Sequence, residues 1–177
     1  MKLYPFDEGE THREIRPYDN VYREVFLKVR DYVESQIDSV ELFHIGSTAI
    51  PDLRGKPMVD IAAVSTHENL RAEQGRFEQL GFHRRAVWVD RDDKPYVCGS
   101  TKAAGSRYNI NIHICRRNDP VHRDSLEFIE ILNSRPDLRR KYEYAKDRAH
   151  SVAPTDPEAY NREKASIIQE IHQANAS

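Results

Sequence analysis

Met58-Val59-Asp60-Ile61-Ala62-Ala63-Val64 constrains the fold of this chain more than any other segment. Apart from one acid it is apolar without alternation, the pattern of a central strand covered on both faces. Upstream, Val40 to Ile45 is short and rich in β-branched and aromatic residues, so a second strand is expected there. Gly46 to Gly55 joins the two; it holds Pro51 between its glycines and cannot be one regular element. An apolar strand therefore runs into Gly46-Ser47-Thr48, reverses, and returns as a strand carrying a single carboxylate. That order of parts suits a phosphate cradle set beside a metal-holding acid.

Helices are expected around these strands. Ile15 to Asp19 reads as an extended approach, with Asp19 as N-cap of a helix whose Tyr22, Val25, Phe26, Val29 and Val33 fall at helical spacing. His67 to Gln79 has helical character, and Gly81 fits its stop. Phe82 to Val89, Tyr96 to Gly99 and Tyr108 to Cys115 are three more strand candidates. The polar turns 90–93 and 102–106 separate them, so an antiparallel meander is expected. From Asp124 the chain turns helical, begun by Leu126, Ile129 and Leu132. Leu138, Tyr142, Ala145 and Ala149 then form one buried stripe. Asp156-Pro157 places a cap and an N1 proline ahead of a last helix with Tyr160, Ile167, Ile168 and Ile171. The layout implies an α+β domain: a mixed β-sheet flanked by helices, with a C-terminal helical tail.

The chain has 177 residues, the size of one domain over 1–177. Charged residues make up 32% and the formal net charge is -2, with both signs interspersed, so no global basic field exists and nucleic acid is not the expected partner. No apolar run approaches the roughly 20 residues that span a bilayer, and the N-terminus lacks a signal-peptide core. A cytoplasmic place, away from membranes, is expected. Cys98 and Cys115 are too few for a zinc site or a disulfide framework and read as buried free thiols.

Strand alternation sorts the residues near the Gly-Ser turn. Asp60 and Ala62 share one face, and Val59, Ile61 and Ala63 the other. On Tyr108 to Cys115, Asn109, Asn111 and His113 line one face and Ile110, Ile112 and Ile114 the other. If the polar faces meet, they wall a pocket. Gly46 would let backbone approach a ligand, and Ser47 and Thr48 would donate to phosphate oxygens. Arg54 and Lys56 would neutralise phosphate charge. Asp60 would hold Mg2+, with His113 completing the metal site or taking a proton, and Asn111 would orient the ligand. Each has a structural alternative: Gly-Ser-Thr as a helix cap, Asp60 as an ion-paired acid, and His44 and His113 as satisfied core histidines.

His44-Ile45-Gly46-Ser47-Thr48-Ala49-Ile50-Pro51-Asp52-Leu53 followed by Lys56-Pro57-Met58-Val59-Asp60-Ile61 resembles the signature of the GrpB family. Asn111-Ile112-His113-Ile114, Tyr142-Glu143-Tyr144-Ala145-Lys146 and Tyr160-Asn161-Arg162-Glu163-Lys164-Ala165 are similar to its later segments, and the likeness covers about residues 15–172. The resemblance implies a nucleotidyltransferase fold. Gly46 and Ser47 would bind a triphosphate and Asp60 would be the first magnesium-holding carboxylate in nucleotidyl or phosphoryl transfer to a small acceptor. Similar domains occur fused to dephospho-coenzyme A kinase, with a folding-accessory role; this chain has no Walker-type loop and is expected to stand alone.

The departures matter as much. The family's superfamily carries Asp-x-Asp, and this chain has Asp60-Ile61-Ala62, while Asn111 replaces the first histidine of a usual His-x-His. Three readings follow: a transferase acting on a nucleotide or phosphorylated small molecule, a non-catalytic nucleotide- or phosphate-binding module, and a domain that engages a protein partner.

Overall fold

The apolar run becomes β2 (Met58–Ser65), an interior strand of a four-stranded sheet in the order β1-β2-β4-β3. β1 is Val40–Ile45, β3 Tyr96–Ala103 and β4 Ser106–Arg116. β1 pairs antiparallel with β2, β2 parallel with β4, and β3 antiparallel with β4. The sheet is mixed, as expected. Among the described residues five α-helices accompany it: α1 (Val21–Glu34), α2 (Leu70–Gln79), α3 (Pro120–Ser134), α4 (Pro136–Val152) and α5 (Pro157–Gln173). This computed structural model describes residues 1–9, 14–85, 92–153 and 156–174.

The parallel register sets Asp60 opposite Asn111 and Ala62 opposite His113, so the polar halves of both strands fall on one face. The opposite face carries Val59, Ile61, Ala63, Ile110, Ile112 and Ile114, packed against α1 through Tyr22, Val25, Val29 and Val33 and against α2 through Phe77. Each such fully buried aliphatic side chain contributes on the order of 1.5–3 kcal/mol. On the polar side, Ala62, Val64, Ile45 and Cys115 form a small cluster. Ile50 and Leu53, both in the connection between β1 and β2, pack into a second core made by α3, α4 and α5. That packing ties the Gly-Ser turn to the helical tail. Cys98 and Cys115 are buried free thiols.

Capping explains several boundaries. Asp19 Oδ1 accepts from the N–H of Val21, so the acid caps α1 from just outside it. Asp156 accepts from the N–H groups of Glu158 and Ala159 and opens α5 as expected. α2 starts at Leu70 rather than His67, because the side chain of Asn69 accepts from Ala72 N–H and fixes the first turn there. α3 starts at Pro120, earlier than Asp124; its buried face is His122, Phe128, Ile131 and Leu132, while Leu126 is exposed.

Among the described residues, the expected three-stranded meander is a hairpin of β3 and β4 with one further antiparallel bridge. Within the described part of Phe82–Val89 there is one isolated bridge, His83 to Cys98, and 86–91 lie outside the described residues. Phe82 turns into the core, edge-on to Phe77 at 5.9 Å. The hairpin strands also run longer than expected, to Ala103 and from Ser106. Ala104 and Gly105 alone make the turn, both at positive φ as a type I′ turn requires. The α4 stripe differs in one position: Leu138, Tyr142, Lys146 and Ala149 are its buried residues, with a lysine where Ala145 was expected.

Candidate functional site

A cavity of about 520 Å³, within the range of small-molecule sites, lies between the polar face of the sheet and the helical tail. Gly46, Ser47, Thr48, Lys56, Asp60, Asn111 and His113 line it from the sheet side. Ser125 of α3 and Tyr160, Asn161, Lys164 and Ile168 of α5 line the other. Seven of the eight residues singled out in the sequence therefore meet in one place. The exception is Arg54, whose guanidinium pairs with Asp147 on α4 at 2.9 Å and is absent from the cavity wall.

The turn is held by backbone geometry and by α4. Gly46 sits at φ 73° and ψ -168°, a region open in practice only to glycine. A Cβ there would stand 2.9 Å from Asp60 Oδ2, so the carboxylate packs directly on the glycine backbone. Ser47 Oγ and Tyr142 Oη are 3.3 Å apart. Lys146 donates from Nζ to the carbonyl of Arg54, and burial lowers its pKa to about 7. Thr48 is buried, its hydroxyl donating to the Met58 carbonyl while lying 3.1 Å from His44 Nε2. The Thr48 proton is thus spent on Met58, which assigns the hydrogen of the second bond to His44 Nε2. Burial lowers the His44 pKa to about 4, and its ring stacks on Phe26 at 5.0 Å. His44 is a neutral structural brace for the turn.

Asn111 joins the two candidate chemical groups. Its Nδ2 lies 3.2 Å from Asp60 Oδ1 and 3.1 Å from His113 Nε2. One amide hydrogen goes to each, which makes His113 an acceptor at Nε2 and places its own proton on Nδ1. Burial raises the Asp60 pKa, opposed by His113, Asn111 and Lys164; burial lowers that of His113, opposed by Asp60. Asn109, on the same face, exchanges two hydrogen bonds with the backbone of Asp7 and anchors the N-terminal segment instead of lining the cavity.

Two cations share the cavity wall with this acid. Lys56 Nζ lies 3.7 Å and Lys164 Nζ 4.5 Å from the centre of the Tyr160 ring, both close enough for cation–π attraction. Burial, then the charge of Lys56, lower the Lys164 pKa to about 8, while Asp60 raises it. Lys164 and Tyr160 were not legible as site residues. The signal was there in outline: Tyr160, Lys164 and Ile168 recur every fourth residue, so a lysine stands in the inward stripe of α5.

These residues do not fit a magnesium pair. Two ions about 3.5–4 Å apart need several carboxylate oxygens. Among the described residues no group of three or more His, Cys, Asp or Glu side chains is placed to hold a metal. His113 Nε2 has its one lone pair taken by the Asn111 amide, which also donates to Asp60 Oδ1; Ala62 offers no ligand, and Lys164 brings positive charge to the same carboxylate.

The architecture is a nucleotidyltransferase-like fold. A Cid1 poly(U) polymerase with Mg and 3'-dATP bound superposes with a TM-score of 0.50 at 14% identity, over 87% of this chain and 51% of that one. At that identity the likeness concerns the fold alone, and the chain spans about half of the polymerase. The chain belongs to the GrpB family, described as GrpB protein, whose model matches residues 12–174. GrpB from Enterococcus faecalis superposes with a TM-score of 0.71 at 19% identity, over 93% of this chain and all of that one. The glutamate-rich protein GrpB of Alkalihalophilus pseudofirmus is 23% identical over 156 residues, 85% of this chain and 88% of the relative. Among the described residues no helix is long and apolar enough to cross a membrane.

Proposed function

We propose that this chain is a non-catalytic binding module on a nucleotidyltransferase-like fold, taking the phosphate groups of a nucleotide or phosphorylated small molecule into the cavity beside Gly46. The observation that carries this reading is the approach of Lys56 and Lys164 to one cavity beside a tight Gly-Ser turn. A single helical turn over Ser47–Ala49 has little dipole of its own, so the attraction for an anion falls mainly on these ammonium groups. Nucleotidyl or phosphoryl transfer by two metal ions is not supported by a donor set with one carboxylate.

Calorimetric titration of ATP and UTP tests the reading. Binding to the wild type that disappears in Gly46→Val, without transfer of label from an α- or γ-labelled nucleotide, is the expected result. Absence of heat with either nucleotide would overturn it, and sustained turnover would restore the transferase reading.

A further inference from the structure

The wall that suits a metal poorly also holds what can replace one. Lys164 reaches the cavity from α5, one helical turn after Tyr160, and its charge is felt by Asp60 across the cavity. A divalent ion in such a cleft has two electrostatic tasks: to offset the carboxylate and to draw phosphate oxygens towards it. An ammonium beside Asp60 performs both, and it brings three N–H donors where an ion would bring open coordination positions.

We infer that the Lys164 ammonium takes the part of the divalent cation in this cavity, so that phosphate ligands are bound without metal. This rests on the phosphate-binding reading above. Three observations converge on it. Asn111 occupies the His113 Nε2 lone pair and one acceptor site of Asp60 Oδ1, which leaves a single carboxylate with no histidine beside it to share an ion. Tyr160, buried, presents its ring to both lysines and stabilises them where water is scarce. Lys56 and Lys164 repel each other there, and an anion between them relieves that repulsion. An inward lysine held only for packing would gain nothing from the second one.

The test is titration of inorganic triphosphate and of ATP into the wild-type protein, once in excess EDTA and once with excess Mg2+. Binding in EDTA as tight as in Mg2+, or tighter, is expected, because magnesium lowers the charge of the ligand. In EDTA, Lys164→Met should weaken triphosphate roughly tenfold or more, and Lys164→Arg should recover most of that loss by restoring the charge. Binding that needs Mg2+ would overturn this inference and leave the phosphate-binding reading standing. So would a Lys164→Met variant that binds as the wild type does. If neither ligand binds in either condition, both readings fall. The comparison between EDTA and Mg2+ uses the wild type alone, so it stands whether or not the variants fold.

Discussion

Asp60 and Asn111 are direct partners across the parallel β2–β4 pair, and the Asn111 amide nitrogen lies 3.2 Å from Asp60 Oδ1. The same nitrogen reaches His113 Nε2 at 3.1 Å. One neutral side chain therefore satisfies a partly buried acid and a partly buried base. Asn111→Ala would strand both groups. It should lower stability by about 1–3 kcal/mol for each group left unsatisfied, measured as a fall in the urea midpoint with an unchanged slope. A loss confined to a few tenths of a kcal/mol would mean that water replaces the amide freely.

Gly46 makes a second demand on the same acid. Its positive φ and the 2.9 Å approach of Asp60 Oδ2 to a notional Cβ both exclude a side chain. Gly46→Ala should cost about 1–3 kcal/mol through backbone strain plus the contact with the carboxylate. Gly46→Ala combined with Asp60→Ala removes the contact but leaves the strain. The double variant should therefore regain part of the loss, and simple additivity in thermal unfolding would show that the contact carries no energy.

How far the sequence reveals this arrangement depends on whether a local pattern exists. The faces of β2 and β4 were legible because alternation is a property of the strand itself, which put Asp60, Asn111 and His113 on one side. The start of α5 was legible because Asp156-Pro157 is a short-range signal. The turn within 102–106 was legible from its polar composition, but its tight two-residue form was not, since alanine rarely adopts the positive φ that Ala104 takes. By its charge Arg54 suits a phosphate, yet its guanidinium is taken by Asp147, a partner supplied only when α4 packs on the loop. Lys164 enters the site by the same kind of tertiary approach, and no window of sequence contains both it and Asp60.

Lys146 makes stability depend on pH in a predictable direction. Its pKa falls from the ordinary 10.5 to about 7 on folding, because burial disfavours the ammonium. Between those values the unfolded chain carries the proton and the folded chain does not. Unfolding then takes up a proton, so stability rises with pH across this window, by up to about 1.4 kcal/mol per pH unit. Lys146→Met has no proton to exchange and should flatten that rise. Chemical denaturation of both proteins at pH 6.5, 8 and 9.5 checks it; parallel curves would show that Lys146 is charged in the native state throughout.

Asp60 gives the opposite slope. Burial raises its pKa above the ordinary 3.8 even though His113, Asn111 and Lys164 all favour the ionised form. The folded chain then holds the proton over a range where the unfolded chain has lost it, so folding becomes less favourable as pH climbs through that range. The ionised acid is therefore a standing cost at neutral pH. Asp60→Asn keeps the shape and removes the charge. It should raise the melting temperature at pH 7 and give little or no gain near pH 3.5, where the wild-type carboxyl is already neutral. Lower stability of Asp60→Asn at pH 7 would mean that attraction to Lys164 outweighs desolvation, and the carboxylate would then be a stabilising member of the cavity wall.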